Sequence, residues 1–188
     1  MKLLVLDNYD SFTYNLVHLI EKVSDIPFDI IRNDKITLDE VNAYDKILLS
    51  PGPGLPKDAG IMPELIKKYG SSKSILGVCL GLQAIGEAYG GTLKNLETVY
   101  HGIATPINIV AEDTIFNNCP SIFTVGRYHS WVVNTKQLPK ELEITAADEA
   151  GNIMALKHHL HDVRGLQFHP ESILSEYGEV MIQNWLKI

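Results

Sequence analysis

The chain has 188 residues, of which 45% are apolar and 21% charged, and a net charge of −7 at pH 7. That length suits a single domain, expected over 1–188, with a proper core. No apolar run approaches the ~18 residues of a membrane span, no signal-peptide pattern is seen, and no Lys/Arg stripe offers a nucleic-acid surface. Two cysteines, one in a reactive setting, fit a reducing, cytoplasmic compartment.

Lys2 to Asp7 is almost continuously apolar, the pattern of a strand buried on both faces of a parallel sheet. Ser11 can cap a helix carrying Phe12, Leu16, Leu19, Ile20 and Val23 at helical spacing. Phe28 to Arg32 reads as a second strand. Thr37-Leu38-Asp39-Glu40 has capping-box spacing before a short helix. A strand at 46–50, a helix from Met62 to Tyr69, a strand at 74–78 and a helix after Cys79 follow. This βα alternation predicts a doubly wound α/β fold, a mostly parallel sheet with helices on both faces.

From about Leu93 the texture changes. Ala104 to Ile109, Ser121 to Val125, Glu143 to Ala147 and Ile153 to Lys157 read as short strands joined by turns, which predicts a mixed or antiparallel region. Val163 to Phe168 is a short apolar strand that Pro170 ends, because proline cannot extend the ladder. Ser175 begins a last helix containing Val180, Ile182 and Trp185.

Three segments carry candidate chemistry. Gly77-Val78-Cys79-Leu80-Gly81 is a Gly-x-nucleophile-x-Gly elbow with cysteine in place of serine. The elbow puts the sulfur at a helix N-terminus, where the dipole favours thiolate. In His169-Pro170-Glu171 the histidine stands at a strand end, where catalytic groups collect in open α/β sheets. Glu171, two residues on, can accept its hydrogen bond and fix the tautomer. Pro51-Gly52-Pro53-Gly54 after the third strand is a rigid loop whose glycine N–H groups can hold an oxyanion or carboxylate. Gln83, one helical turn beyond Cys79, shares its face. Cys119, with no elbow, reads as a buried small hydrophobe.

These three motifs together resemble the class I (triad) glutamine amidotransferases. With Asp7-Asn8-Tyr9-Asp10-Ser11-Phe12-Thr13-Tyr14-Asn15, Tyr128-His129-Ser130 and Gln167 to Ser172, the chain looks like the small subunits of anthranilate synthase and of aminodeoxychorismate synthase, over essentially its whole length. Overall similarity leans to the former. The resemblance implies a flavodoxin-like core and a catalytic triad of Cys79, His169 and Glu171. It implies an oxyanion hole from the backbone N–H groups of Gly52 and Leu80. Glutamine would be held by Gly52, Pro53, Gly54, Gln83, Ser130 and Trp131. Where this family more usually has leucine after the serine, the chain has Trp131. No metal or cofactor is implied for this subunit, whereas the partner synthase would need Mg. The partners implied are L-glutamine and a chorismate-binding synthase large subunit, with Tyr9, Ser11 and Tyr14 as surface candidates for that contact.

Other readings stay open at this level. One is a cysteine peptidase or deglycase sharing the elbow. Another is a non-catalytic binding subunit on a flavodoxin-like scaffold. The third is a metal protein using His158, His159 and His161 with Asp162, against which stands the alternation of side chains in an extended segment; a solvated loop is the expected form of that run. His18 and His101 have no assignment.

Overall fold

Five parallel strands and four antiparallel ones join in a single sheet, in the order β2-β1-β3-β4-β11-β10-β9-β6-β7. The structure is a computed structural model describing residues 1–188. The parallel block comprises β1 (Leu3–Asp7), β2 (Phe28–Arg32), β3 (Lys46–Leu49), β4 (Ser74–Val78) and β11 (Val163–Leu166). Strand β1 is buried along its whole length, as its apolar run predicts. Its side chains alternate between two cores. Leu3 and Val5 pack with Leu16, Ile20, Ile182 and Trp185, while Leu4 and Leu6 pack with Leu65, Ile66, Leu82 and Ile85. Helices α1 (Thr13–Val23) and α4 (Gly178–Lys187) thus cover one face. Helices α2 (Met62–Tyr69) and α3 (Leu80–Ala88) cover the other. A continuous apolar strand is the signature of this sandwich.

The antiparallel block holds β10 (Ile153–His158), β9 (Leu142–Ala147), β6 (Ile103–Ile109) and β7 (Ile122–Arg127). A separate two-stranded ribbon pairs β5 (Leu93–Asn95) with β8 (Trp131–Val133). Three-residue strands leave no readable periodicity, so the sequence does not announce them. The ribbon is seated because Gly86 of α3 lacks a side chain: a Cβ there would lie 2.6 Å from Val133.

Three local expectations shift. Ser11 is exposed and does not cap α1. Asp10 Oδ1 instead accepts the Phe12 N–H at 2.7 Å, and the Thr13 hydroxyl donates to Asp7 at 2.9 Å. An aspartate two residues ahead supplies the same local acceptor. The capping box at Thr37–Glu40 forms, with the Thr37 N–H donating to Glu40 at 2.8 Å. It leads only into one 3-10 turn, Glu40–Ala43, because β3 begins three residues later. The last helix starts at Gly178, not Ser175. The Ser175 hydroxyl is committed to the His169 carbonyl and the Gly126 N–H. A Cβ at Gly178 would lie 1.8 Å from the Pro170 carbonyl oxygen, so only glycine allows the chain to turn in there.

The histidine run is no extended segment. His158 ends β10, its Nδ1 accepts the N–H groups of Leu160 and His161, and its ring stacks on His161 at 4.4 Å. No group of three His, Cys, Asp or Glu side chains is arranged to hold a metal ion.

Candidate active site

The parallel strands bring three loops to one edge. Cys79 follows β4 directly and precedes α3, with φ 53° and ψ −99°. A non-glycine residue reaches that conformation only where the surroundings impose it. Here the neighbouring glycines do so. A Cβ on Gly77 would fall 2.4 Å from Gly81, and one on Gly81 would fall 2.8 Å from the Leu49 carbonyl. The elbow therefore requires both glycines of the motif.

Cys79 lies at a cavity of about 210 Å³ lined by Gly52, Pro53, Gly54, Cys79, Leu80, Gln83, Tyr128, His129, Ser130 and Trp131. Every residue assigned by resemblance to glutamine binding or to the oxyanion hole borders this one space. It is smaller than the ~300–1,000 Å³ usual for drug-sized ligands, which suits a small polar substrate. The Gly52 N–H donates to no acceptor within the fold. That of Leu80, the first residue of α3, has no acceptor within its helix. Two free donors beside the sulfur are what a developing oxyanion requires.

The Pro-Gly loop is fastened from behind by Asn8, which stands in the Asp7–Asn15 motif without an assigned role. Its N–H donates to the Ser50 hydroxyl and its side-chain amide to the Ser50 carbonyl, both at 2.8 Å. Asn33 donates to its carbonyl oxygen at 3.0 Å. A Cβ on Gly52 would lie 2.7 Å from Asn8 and from Leu80, so the loop has a single seat.

His169 and Glu171 are buried together, Nδ1 and Oε1 2.7 Å apart. Burial alone would lower the His169 pKa. The opposing hydrogen bonds and charge of Cys79 and Glu171 raise it to about 10. Nδ1–H donates to Glu171, which leaves Nε2, without another hydrogen-bond partner, for the sulfur.

Two further residues belong here. Gln167, fully buried, directs its amide to the Cys79 sulfur at 3.6 Å and its carbonyl oxygen to Gln83 at 3.4 Å. Its position two residues before His169, on the same side of the extended segment, is a signal the sequence does carry. His129 is the second. Burial, reinforced by the Arg127 charge, lowers its pKa to about 3. Arg127 Nε–H donates to Nε2, so the neutral ring's Nδ1–H points at the Trp131 carbonyl, 3.1 Å away. That carbonyl also accepts the Gln83 amide at 2.9 Å. The backbone of Trp131 is thus what shapes the wall, and its half-buried side chain is secondary. Arg127 is in turn paired with buried Asp148 at 2.9 Å and stacked over Tyr100.

His101 sits outside this wall, its ring edge toward Tyr128 at 6.1 Å. His18 pairs with Glu21 on the surface. Tyr9 and Tyr14 are exposed, 49% and 59%, next to the same sheet edge. No helix is long and apolar enough to cross a membrane.

A strained cysteine on a strand-to-helix elbow with two free main-chain donors at one small cavity, together with a buried His–Glu pair, defines a thiol enzyme on a doubly wound sheet. The class-I glutamine amidotransferase family model matches residues 4–188, and the chain belongs to that family. It is 42% identical to anthranilate synthase component 2 of Pseudomonas putida, over 100% of this chain and 97% of that one. It is equally 42% identical to anthranilate synthase component 2 of Lactococcus lactis, over 98% and 93%. Among solved structures, a Thermoplasma acidophilum protein provisionally named as part of a GMP synthase superposes with a TM-score of 0.88, at 24% identity, over 100% of this chain and 92% of that one. That last likeness is one of fold.

Proposed function

We propose that the chain is the glutaminase subunit of an anthranilate synthase, hydrolysing L-glutamine and passing ammonia to a chorismate-binding large subunit in tryptophan biosynthesis. The observation that carries the chemistry is Cys79, held at positive φ at the cavity bordered by Gly52–Gly54, Gln83 and Ser130–Trp131, and near enough to His169 for its hydrogen bond and charge to raise the imidazole pKa. The relatives' names, at 42% identity over nearly whole chains, support the anthranilate branch over the aminodeoxychorismate one.

The Cys79 thiolate attacks the side-chain amide carbon of glutamine. The carbonyl electron pair moves to oxygen, where the N–H groups of Gly52 and Leu80 receive it. His169, protonated at Nε2, gives that proton to the departing nitrogen, and ammonia leaves from a glutamyl thioester. Water deprotonated by His169 then attacks the thioester and releases glutamate. Glu171 holds the imidazole and offsets its charge without moving a proton itself. Gln83, whose amide nitrogen is committed to the wall, keeps its carbonyl oxygen for the substrate's ammonium group. None of these steps calls on a metal or cofactor of the subunit; the Mg expected of the complex would serve the partner synthase.

Ammonia in water is soon protonated and no longer nucleophilic, so the acceptor site must be reached directly. Tyr9, Ser11 and Tyr14 border the edge where the partner would dock. The test is glutamate release by the purified chain, alone and with the large subunit of anthranilate synthase or of aminodeoxychorismate synthase. Anthranilate formation from glutamine that disappears in Cys79→Ala, while added ammonium still supports it, is the expected result. Productive coupling only to the aminodeoxychorismate enzyme would move the chain to the other branch. No glutamate release in any pairing would defeat the glutaminase reading.

A further inference from the structure

His169 is anchored through one side-chain hydrogen bond, to Glu171, and through its backbone: its N–H donates to the Gly126 carbonyl at 3.0 Å and its carbonyl accepts from Ser175. The Glu171 bond orients the ring from Nδ1, and two aromatic rings pack against the ring itself. Phe12 meets the imidazole nearly edge-on, with centroids 5.0 Å apart at 70°, and Tyr128 meets it at 4.8 Å and 57°. The two rings also touch one another, at 4.8 Å. Each is itself held in place. The Tyr128 hydroxyl pairs with buried Ser172 at 3.0 Å, and the Phe12 N–H is held by Asp10 at the entry to α1.

We propose that Phe12 and Tyr128 are positioning residues that clamp the His169 ring so that Nε2 stays directed at the Cys79 sulfur. Tilted and edge-on ring pairs of this kind are attractive and restrict how the imidazole can tilt about its Glu171 hydrogen bond. Tyr128 also lines the glutamine cavity, whereas Phe12 does not. Phe12 therefore reports on the base without touching substrate. The clamp rests on the reading of Cys79 and His169 as the reacting pair.

The test is glutamate release from L-glutamine by the chain with its synthase partner, across pH, for Phe12→Leu and Phe12→Tyr, with Cys79→Ser and His169→Ala as controls. Phe12→Leu should lower kcat about ten-fold with KM almost unchanged, because the base loses its alignment while the substrate cavity is untouched. Phe12→Tyr, which keeps a ring, should restore most of the rate. Should Phe12→Leu fail to melt cooperatively, Phe12→Met is read in the same way. An unchanged kcat, an equal loss in Phe12→Leu and Phe12→Tyr, or a loss confined to KM would overturn the clamp. If Cys79→Ser and His169→Ala keep full activity, the reading of the site itself fails instead.

Discussion

The two halves of the sheet contribute to the site by different means. In the parallel half, topology alone carries Cys79, the Pro-Gly loop and His169 to one edge, because each follows a parallel strand pointing the same way. In the antiparallel half no strand end delivers a reacting group. The wall at Tyr128–Trp131 is instead shaped by a buried polar chain from Asp148 through Arg127 and His129 to the Trp131 carbonyl. Reaction chemistry thus depends on backbone placement, and substrate fit on hydrogen-bonded side chains. Substitutions in the two halves should accordingly fail in different ways.

The largest effect is expected in the antiparallel half. Asp148→Ala leaves the buried Arg127 charge without its partner, and should cost about 3–5 kcal/mol of stability by denaturant titration. At temperatures where the variant stays folded, the glutamine KM should rise more than kcat falls. Equal damage to kcat would mean the polar chain reaches the reacting atoms. Gly52→Ala probes the parallel half. The added Cβ collides with Asn8 and Leu80 and must displace the loop, so kcat should fall about 10²–10³-fold, the usual loss for one oxyanion donor. A KM effect alone would assign Gly52 to binding.

Acid and alkali should separate the halves as well. The His169 pKa is raised to about 10 in the folded protein. Its protonation therefore stabilises the fold fully below about 6.5, the unfolded value, and that contribution fades as pH rises through 10. The Tm difference between wild type and His169→Gln should shrink over that alkaline range. Asp148 behaves oppositely. Burial acts to raise its pKa, but hydrogen bonds from Asn152 and the Arg127 charge bring it below the ordinary carboxylate value. Its contribution is present above about 3.9 and is lost as pH falls below that. Wild type and Asp148→Asn should therefore converge only in acid. Convergence of the His169 pair in acid would reverse the sign and contradict the imidazolium–carboxylate arrangement. The smallest change is Trp131→Leu. Because the backbone carbonyl shapes the wall, stability should stay within about 0.5 kcal/mol and kcat/KM within a few-fold. A large rise in KM would give the indole a role of its own.

The same division governs what could be read from the sequence. Strands buried on both faces write themselves as continuous apolar runs, and the elbow and the His-Pro-Glu turn are compact local patterns, so the parallel half and the segments that meet at its edge are legible. Asn8 stands in the Asp7–Asn15 motif with nothing local to mark its role, because its three partners lie 25 to 54 residues away. Arg127 and Asp148 carry no local pattern that pairs them. The ribbon of β5 and β8 is too short to show a period. Ser130 and Trp131 entered only through family likeness, and the structure gives the reason for Trp131: its main chain, invisible to residue type, makes the contacts.

The most direct measurement is mass spectrometry of the Cys79 peptide after acid quenching during turnover on L-glutamine. An adduct with the mass of a glutamyl group on Cys79, absent in Cys79→Ala and cleared when glutamine is exhausted, is the expected result. Steady glutamate release with Cys79 unmodified, or with the adduct on another residue, would contradict the thioester route and the role of the elbow.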